Sequence, residues 1–305
     1  MIVNEEIPSA LAGERLDRIV SLVADVSRSQ ARELVAAGGV TVDGAPAPSG
    51  KVRLSEGQSV TVDLSMIPKE ELPTADPSVL FGVLHEDAHC AVIEKPAGLV
   101  VHPAPGHRDG TLVNGLLHRW PQVAAVGQPA RPGIVHRLDV GTSGLMVVAL
   151  TQEAYEGLVA ALSAHDVRRE YVALAWGHLE SSSGVIDAPI GRDPRDPLRM
   201  AVVRDGKFAR TKFDVEREFT EPVDLSLVRC SLETGRTHQI RVHLAAVGHP
   251  VVGDSTYGGV RPALPAPRPM LHAQALAFDH PVTGEHMEFG APVPADIMAV
   301  IDRCA

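Results

Sequence analysis

The chain has 305 residues, 45% hydrophobic and 22% charged, with a formal net charge of −10; this excludes a disordered or fibrous chain and leaves room for one large domain or two with a sizeable core. No apolar run approaches a membrane span, and residues 1–6 lack the basic and apolar regions of a signal peptide. Three distant cysteines, Cys90, Cys230 and Cys304, exclude a zinc ribbon and argue against a disulfide framework, which fits a reducing cytoplasm, while the acidity argues against a polyanionic partner unless cations are clustered.

Residues 1–65 read as a small domain. Leu16, Ile19, Val20 and Val23 fall at helical spacing. Ser27 and Ser29 are N-cap candidates for a second helix through Ala31, Leu34 and Val35, which Gly38 and Gly39 end. Strands follow at residues 40–43 and 59–63, with a turn at Gly44 between them. Residues 66–78 hold three prolines and no periodicity, the mark of a linker. A second domain then runs over 79–305.

In that domain residues 90–95 predict a strand stopped by Pro96, followed by a turn at Gly98 and the apolar run 99–101. Lys95 reads equally as a phosphate contact or a solvated strand end. Thr111 caps a helix through Leu112, Leu116 and Trp120, and Thr151 caps another bearing Tyr155, Leu158, Val159 and Leu162. Between them lies the stretch on which the chain turns, Ile134-Val135-His136-Arg137-Leu138-Asp139-Val140-Gly141-Thr142-Ser143-Gly144 and the apolar run 145–150. It sets an Arg and an Asp on a tight loop that feeds a buried strand. Taken alone, Asp139 reads as a turn carboxylate.

A strand over 168–174 carries Tyr171, which by residue type alone is a sheet-face aromatic. Residues 192–212 hold seven cations, Arg199 and Lys207 among them, against three acids, a local positive patch suited to a polyanion. In Thr237-His238-Gln239-Ile240-Arg241-Val242-His243-Leu244, Thr237 is the expected N-cap, and Ile240, Leu244 and Val247 form one helical face. His238 and His243 are five apart, on different faces, so a metal is discounted. A late strand over 271–278 and a short helix near 297–301 close the chain.

The stretch from His136 to Gly144 closely resembles the catalytic signature of the RluA-type pseudouridine synthases, in which His-Arg-Leu-Asp is followed by Thr-Ser-Gly-Leu and an apolar strand. The resemblance extends to residues 95–103, the Tyr171 strand, residues 234–250, 251–258 and 271–278, and residues 1–65 resemble the S4 RNA-binding domain, with Arg28 and Arg32 on its second helix. What it implies is an α+β fold with a large, mostly antiparallel sheet and a central RNA-binding cleft. It implies an isomerase that turns uridine into pseudouridine in structured RNA, by the family most simply 23S ribosomal RNA, with base flipping. In that reading Asp139 is the catalytic aspartate, Arg241 its paired cation, Tyr171 the residue packed on the uracil, and Arg137 the group that enters the vacated stack. Arg28, Arg32, Arg199 and Lys207 contact RNA, and Ile240 and Leu244 wall the pocket, with core packing an equal alternative for both. No metal or cofactor is expected, and the protein is expected to be a cytoplasmic monomer. Leu150, where the family commonly has Lys, departs from the pattern, and residues 260–269 read as a variable loop. Beside this stand a non-catalytic RNA-binding or ribosome-assembly factor, a synthase acting on transfer RNA, and a metal hydrolase suggested by the 14 histidines. The joint presence of Asp139, Arg137, Tyr171 and Arg241 favours the isomerase.

Overall fold

Two short helices laid on a four-stranded antiparallel sheet make the first of two units in the computed structural model, Met1–Glu71; the second is Leu72–Ala305. The structure describes residues 1–67, 72–103 and 107–305. In the first unit, β1 (Ile2–Glu6), α1 (Leu16–Val23), α2 (Arg28–Ala36), β2 (Val40–Val42), β3 (Ala45–Pro46) and β4 (Ser59–Asp63) follow in order, and the sheet runs β1-β4-β2-β3. The apolar periods explain the packing. Leu16, Ile19 and Val20 of α1 and Ala31, Leu34 and Val35 of α2 are buried against Val60 and Val62, the inward alternates of β4. Of the two cap candidates Ser27 is the one used: its hydroxyl accepts from Gln30 N, and Gln30 Oε1 accepts from Ser27 N, a reciprocal capping box.

The second unit contains β5 (Gly82–Glu86), β6 (Cys90–Lys95), α3 (Leu112–Arg119), β7 (Gly127–Gln128), β8 (Arg131–Pro132), β9 (Ser143–Ala149), α4 (Gln152–Ala164), β10 (Arg168–Trp176), β11 (Ser183–Asp187), β12 (Ile190–Arg192), β13 (Met200–Val202), β14 (Arg210–Phe219), β15 (Leu225–Leu232), α5 (Gln239–Ala246), β16 (Leu271–Asp279), β17 (His286–Gly290) and α6 (Ala295–Ile301). Its large sheet runs β11-β14-β15-β10-β16-β9-β6-β5, with β17 also paired to β16. The sheet is mostly antiparallel, as expected; β9 and β16 meet in parallel over two residue pairs only, His272 with Ser143 and Ala273 with Gly144. The two halves of the sheet therefore join at the start of β9, immediately after the Asp139 loop. Only glycine fits there, because a Cβ on Gly144 would lie 2.2 Å from Ala273 O.

All seven residues of β9 are buried. Leu145, Val147 and Ala149 join α4 on one face, and Met146 and Val148 join α3 and α5 on the other. A strand covered on both faces explains the continuous apolar run. Residues 99–101 form no strand. Instead the carbonyls of Val100 and Val101 accept the amides of Leu112 and Val113, which the first turn of α3 leaves free. Of the segment expected as a linker, residues 68–71 lie outside the described residues. Further along it, Asn114 of α3 donates to Thr74 O and accepts from Asp76 N through its backbone carbonyl.

Candidate active site

The loop before β9 is held from several sides. Asp139 O accepts from Thr142 N at 3.0 Å to close a turn, and Val140 O accepts from Gly98 N at 2.7 Å. Arg268, in the proline-rich segment before β16, donates to Gly141 O and to Ser143 Oγ, and its fork is fixed by two bonds to Asp296, at 2.6 and 2.9 Å. The stretch 260–269 thus carries a structural staple for the loop, which its composition did not suggest. His136 accepts the Val147 amide proton on Nε2 at 3.1 Å, so its own proton sits on Nδ1, and burial pushes its pKa down to about 3.

Helix α5 supplies the partner. It starts one residue later than its sequence suggests: the N-cap is His238, in the left-handed region at φ 57°, and Thr237 is outside. The reason is Gln239, whose Oε1 accepts from Thr234 Oγ1 and Arg236 N and whose amide donates to Arg210 O, so a side chain closes the loop that Thr237 would have capped. Arg241, 8% exposed, then reaches two carboxylates at once. Nη1 donates to Asp139 Oδ2 at 3.0 Å; Nε and Nη2 donate to Asp254 at 2.7 and 2.9 Å. Asp254 is completely buried and also accepts the amides of Thr256 and Tyr257. Burial opposes charge on Arg241, but the bonds to Asp254 and the Asp139 charge outweigh it and hold its pKa above the ordinary value.

His238 Nε2 stands 3.9 Å from Asp139 Oδ1, and its Nδ1 is 2.8 Å from the Tyr257 hydroxyl. That hydroxyl already accepts from Met200 N, so its proton is best given to His238 Nδ1, leaving the imidazole proton on Nε2 toward Asp139. Burial lowers the His238 pKa, with Asp139 opposing, and keeps the ring neutral near pH 7. The Tyr257 ring meets the guanidinium groups of both Arg199 and Arg241, at 5.2 and 5.1 Å from its centre.

Asp139, Arg137, Tyr171, Ile240 and Arg241 all line one cavity of about 680 Å³, within the range of small-ligand sites. Asp139 is 15% exposed at its floor, and Arg137 is exposed at its wall. Burial pushes the Tyr171 hydroxyl up to about 12, so it is protonated at neutral pH. Among the described residues five arginines line the cavity (Arg131, Arg137, Arg169, Arg236 and Arg241), and Asp139 is the single carboxylate there. An acidic chain thus has a positive cleft, and the cations come from segments far apart in sequence.

Four expectations need correction. Leu244 is fully buried in the core and does not line the cavity, because the helix shows its next turn to the sheet. Lys95 is neither a phosphate contact nor a solvated end. It is wholly buried, Nζ donates to Pro96 O and Leu99 O, and burial lowers its pKa to about 7 against the opposing pull of Asp139. Thr237 is not a cap. The 192–212 patch is weaker than its composition, since Arg210 pairs with Asp187 and Glu233, and Lys212 with Glu233, partners that lie outside the window. Within the patch Lys207 is exposed, and Arg199 has a buried Nε without a partner. In the first unit Arg28 reaches Asp17 at 3.4 Å, and Arg32 donates to Arg28 O.

His243 spends both ring nitrogens on Thr211 Oγ1 and Ala188 O, so it has none for a metal. Among the described residues a metal-ligand grouping exists at His85, Asp87 and Cys90 in the β5–β6 turn, outside the cavity lining; there Asp87 already accepts two backbone amides and contacts His85 and His280. Sequence reasoning gave no role to Asp254, His238, Tyr257, Arg169 or Arg268. Asp254 and Tyr257 sit in the noted stretch 251–258, and a Gly-Asp-Ser-Thr turn was the available signal; what it could not supply was the partner.

The model for "RNA pseudouridylate synthase" matches residues 89–246, and that for "S4 domain" matches residues 14–60. The chain is 44% identical over 312 residues, 97% of its length and 90% of the relative's, to "Ribosomal large subunit pseudouridine synthase D" of Xanthomonas campestris. It is 44% identical over 293 residues, 95% of its length and 94% of the relative's, to an RNA pseudouridine synthase of Bacillus subtilis, YlyB. Among solved structures, "Human RNA Pseudouridylate Synthase Domain Containing 1" matches with a TM-score of 0.57 and 30% identity, covering 70% of this chain and 84% of that one. The chain therefore belongs to the RNA pseudouridine synthases, isomerases that convert uridine to pseudouridine, and carries an S4 domain ahead of the synthase unit.

Proposed function

We propose that this protein isomerises uridine in large-subunit ribosomal RNA, with Asp139 as the catalytic carboxylate. The relatives named for the large ribosomal subunit, similar over nearly the whole chain, support that substrate. The observation that carries the chemistry is the shared guanidinium: Arg241 bridges Asp139 and a fully buried Asp254, in a cavity where Asp139 is the only lining carboxylate among the described residues.

The reaction breaks N1–C1′, turns the uracil and joins C5 to C1′; the proton lost from C5 is matched by one gained at N1. The reacting uridine must leave its stack, at a cost of about a few kcal/mol. Arg137, exposed at the wall, fills the gap left behind. Asp139 acts at the junction of sugar and base, oriented by Arg241 and faced by the His238 imidazole. Tyr171, protonated and on the same wall, packs on the ring and is placed to take part in proton transfer at C5. The apolar side of the pocket is Ile240. Arg28 and Arg32 on α2, with Arg199 and Lys207 on the synthase unit, hold flanking RNA. A ribosomal substrate supports a cytoplasmic location.

Asp139→Asn tests this reading. It keeps the shape and the hydrogen bond to Arg241 but removes the charge, and should cut single-turnover conversion by at least about 1,000-fold with RNA affinity within a few-fold. Conversion at the wild-type rate would end the assignment. Mapping pseudouridine in a strain lacking the protein distinguishes ribosomal from transfer RNA.

A further inference from the structure

Arg169 lies on β10 two residues before Tyr171, so both side chains leave the same face of the sheet, and both line the cavity. It is 7% exposed. Among the described residues no carboxylate lies within ion-pair distance of its guanidinium. Its one hydrogen bond is long, Nη2 to Glu233 O at 3.3 Å, and its Nε is buried with no partner. Its neighbours do not answer the charge. Glu170, on the opposite face, pairs with Arg168, and His136 is held neutral by the Val147 amide. The other well-buried arginines of this unit are neutralised, Arg241 by Asp139 and Asp254 and Arg268 by Asp296. Room has been left for the group: a Cβ on Gly235 would stand 2.8 Å from Arg169 Nη1.

A guanidinium taken out of water without a counter-ion is costly, and the fold would be as well served by an apolar side chain of the same shape. Such a charge is kept where an anion arrives. Among the described residues the cavity has no second carboxylate to offer, and its ligand is a polyanion. A phosphodiester presents two oxygens that match the arginine fork. We infer that Arg169 is a phosphate-binding residue, taking one backbone phosphate of the flipped nucleotide or its immediate neighbour as the counter-ion the protein itself lacks. The inference rests on the RNA-isomerase reading above. It adds a second fixed point beside Tyr171: the base is held by its face and the backbone by its charge, which sets how far the nucleotide enters.

The test couples a protein change to a substrate change. The probe is a stem-loop containing a uridine that the wild-type protein converts, made with a neutral methylphosphonate in place of one phosphate at a time. Wild type should lose affinity on the order of ten-fold at one position next to the target uridine. Arg169→Met should lose a similar amount on the unmodified RNA and nothing further at that position. Its thermal transition should stay at or above that of wild type, since an unanswered buried charge has been removed. Parallel losses by both proteins at every phosphate would overturn the inference. So would an Arg169→Met protein that unfolds earlier and binds RNA normally, the mark of a purely structural residue. Conversion and binding are read separately on one RNA, so failure to form pseudouridine counts against the function and leaves the phosphate result to stand or fall by itself.

Discussion

The two units use different chemistry to stay folded. Residues 1–71 contain no histidine, no cysteine and no aromatic residue; all 14 histidines and both tryptophans belong to the second unit. The first packs aliphatic side chains around a buried carboxylate, Asp17, which the neighbouring Arg15 grips at 2.6 and 3.1 Å. The second buries Arg169, Arg241, His243, Asp254, His272 and Lys95. The difference teaches where function sits: in the first unit the buried carboxylate is answered by a cation two residues away, whereas a unit that orients a carboxylate encloses cations and acids brought from distant segments.

The largest effect expected from breaking this contrast is at the sheet junction. Gly144→Ala sets a methyl group against the Ala273 backbone and should cost several kcal/mol. The fluorescence of Trp120 and Trp176, which reports the second unit alone, should show its transition lowered or lost while circular dichroism retains the signal of the first. An unchanged fluorescence transition would mean the strands part easily there. Next comes Asp254, a positioning residue. Asp254→Asn should lower kcat about 100-fold with KM within a few-fold, and should add little to an Arg241→Met protein. Additive losses would separate Asp254 from the Asp139–Arg241 pair.

In the first unit the loss should fall on binding instead. Arg28→Ala with Arg32→Ala should weaken RNA affinity about ten-fold and reduce the salt dependence by about two charges, with the rate on saturating RNA kept. A fall in that rate would place the unit in the chemistry.

The smallest effects are in pH. Burial holds His272 at about 4 and His136 at about 3 in the folded second unit. Between pH 6.5 and 4 the unfolded chain therefore binds protons that the folded one does not, and stability falls as pH falls. Lys95, at about 7, adds the same sign higher up: stability declines from pH 10.5 to 7 and this contribution is flat below. In the first unit the Arg15 bonds lower the Asp17 pKa, so its contribution is whole above pH 3.8 and is lost only below. Tryptophan fluorescence should show the second unit's transition dropping by several degrees from pH 6.5 to 4, while circular dichroism shows the first unit holding; a common acid transition by both probes would contradict the assignment.

Much of the site was legible. Asp139, Arg137, Tyr171, Arg241 and Ile240 sit in motifs whose residue order implies their place, and the structure gathers them around one cavity. Leu244 illustrates the limit. It shares the helical face of Ile240, but one turn further along that face meets the sheet and not the opening. The basic loop illustrates another, since Glu233, which answers Arg210 and Lys212, arrives just past the end of the neighbouring strand β15.

What the sequence determined by itself was local: apolar periods, caps and turns, each settled by residues within a few positions, together with a signature loop that must project an aspartate. Tertiary structure alone decided how the charges of the site are paired. Arg241 meets Asp254 across 13 residues and Asp139 across 102, and among the described residues Arg169 meets no carboxylate. Whether a buried cation is answered depends on which distant acid the fold delivers within about 4 Å, and Coulomb energy at that range outweighs any preference written along the chain.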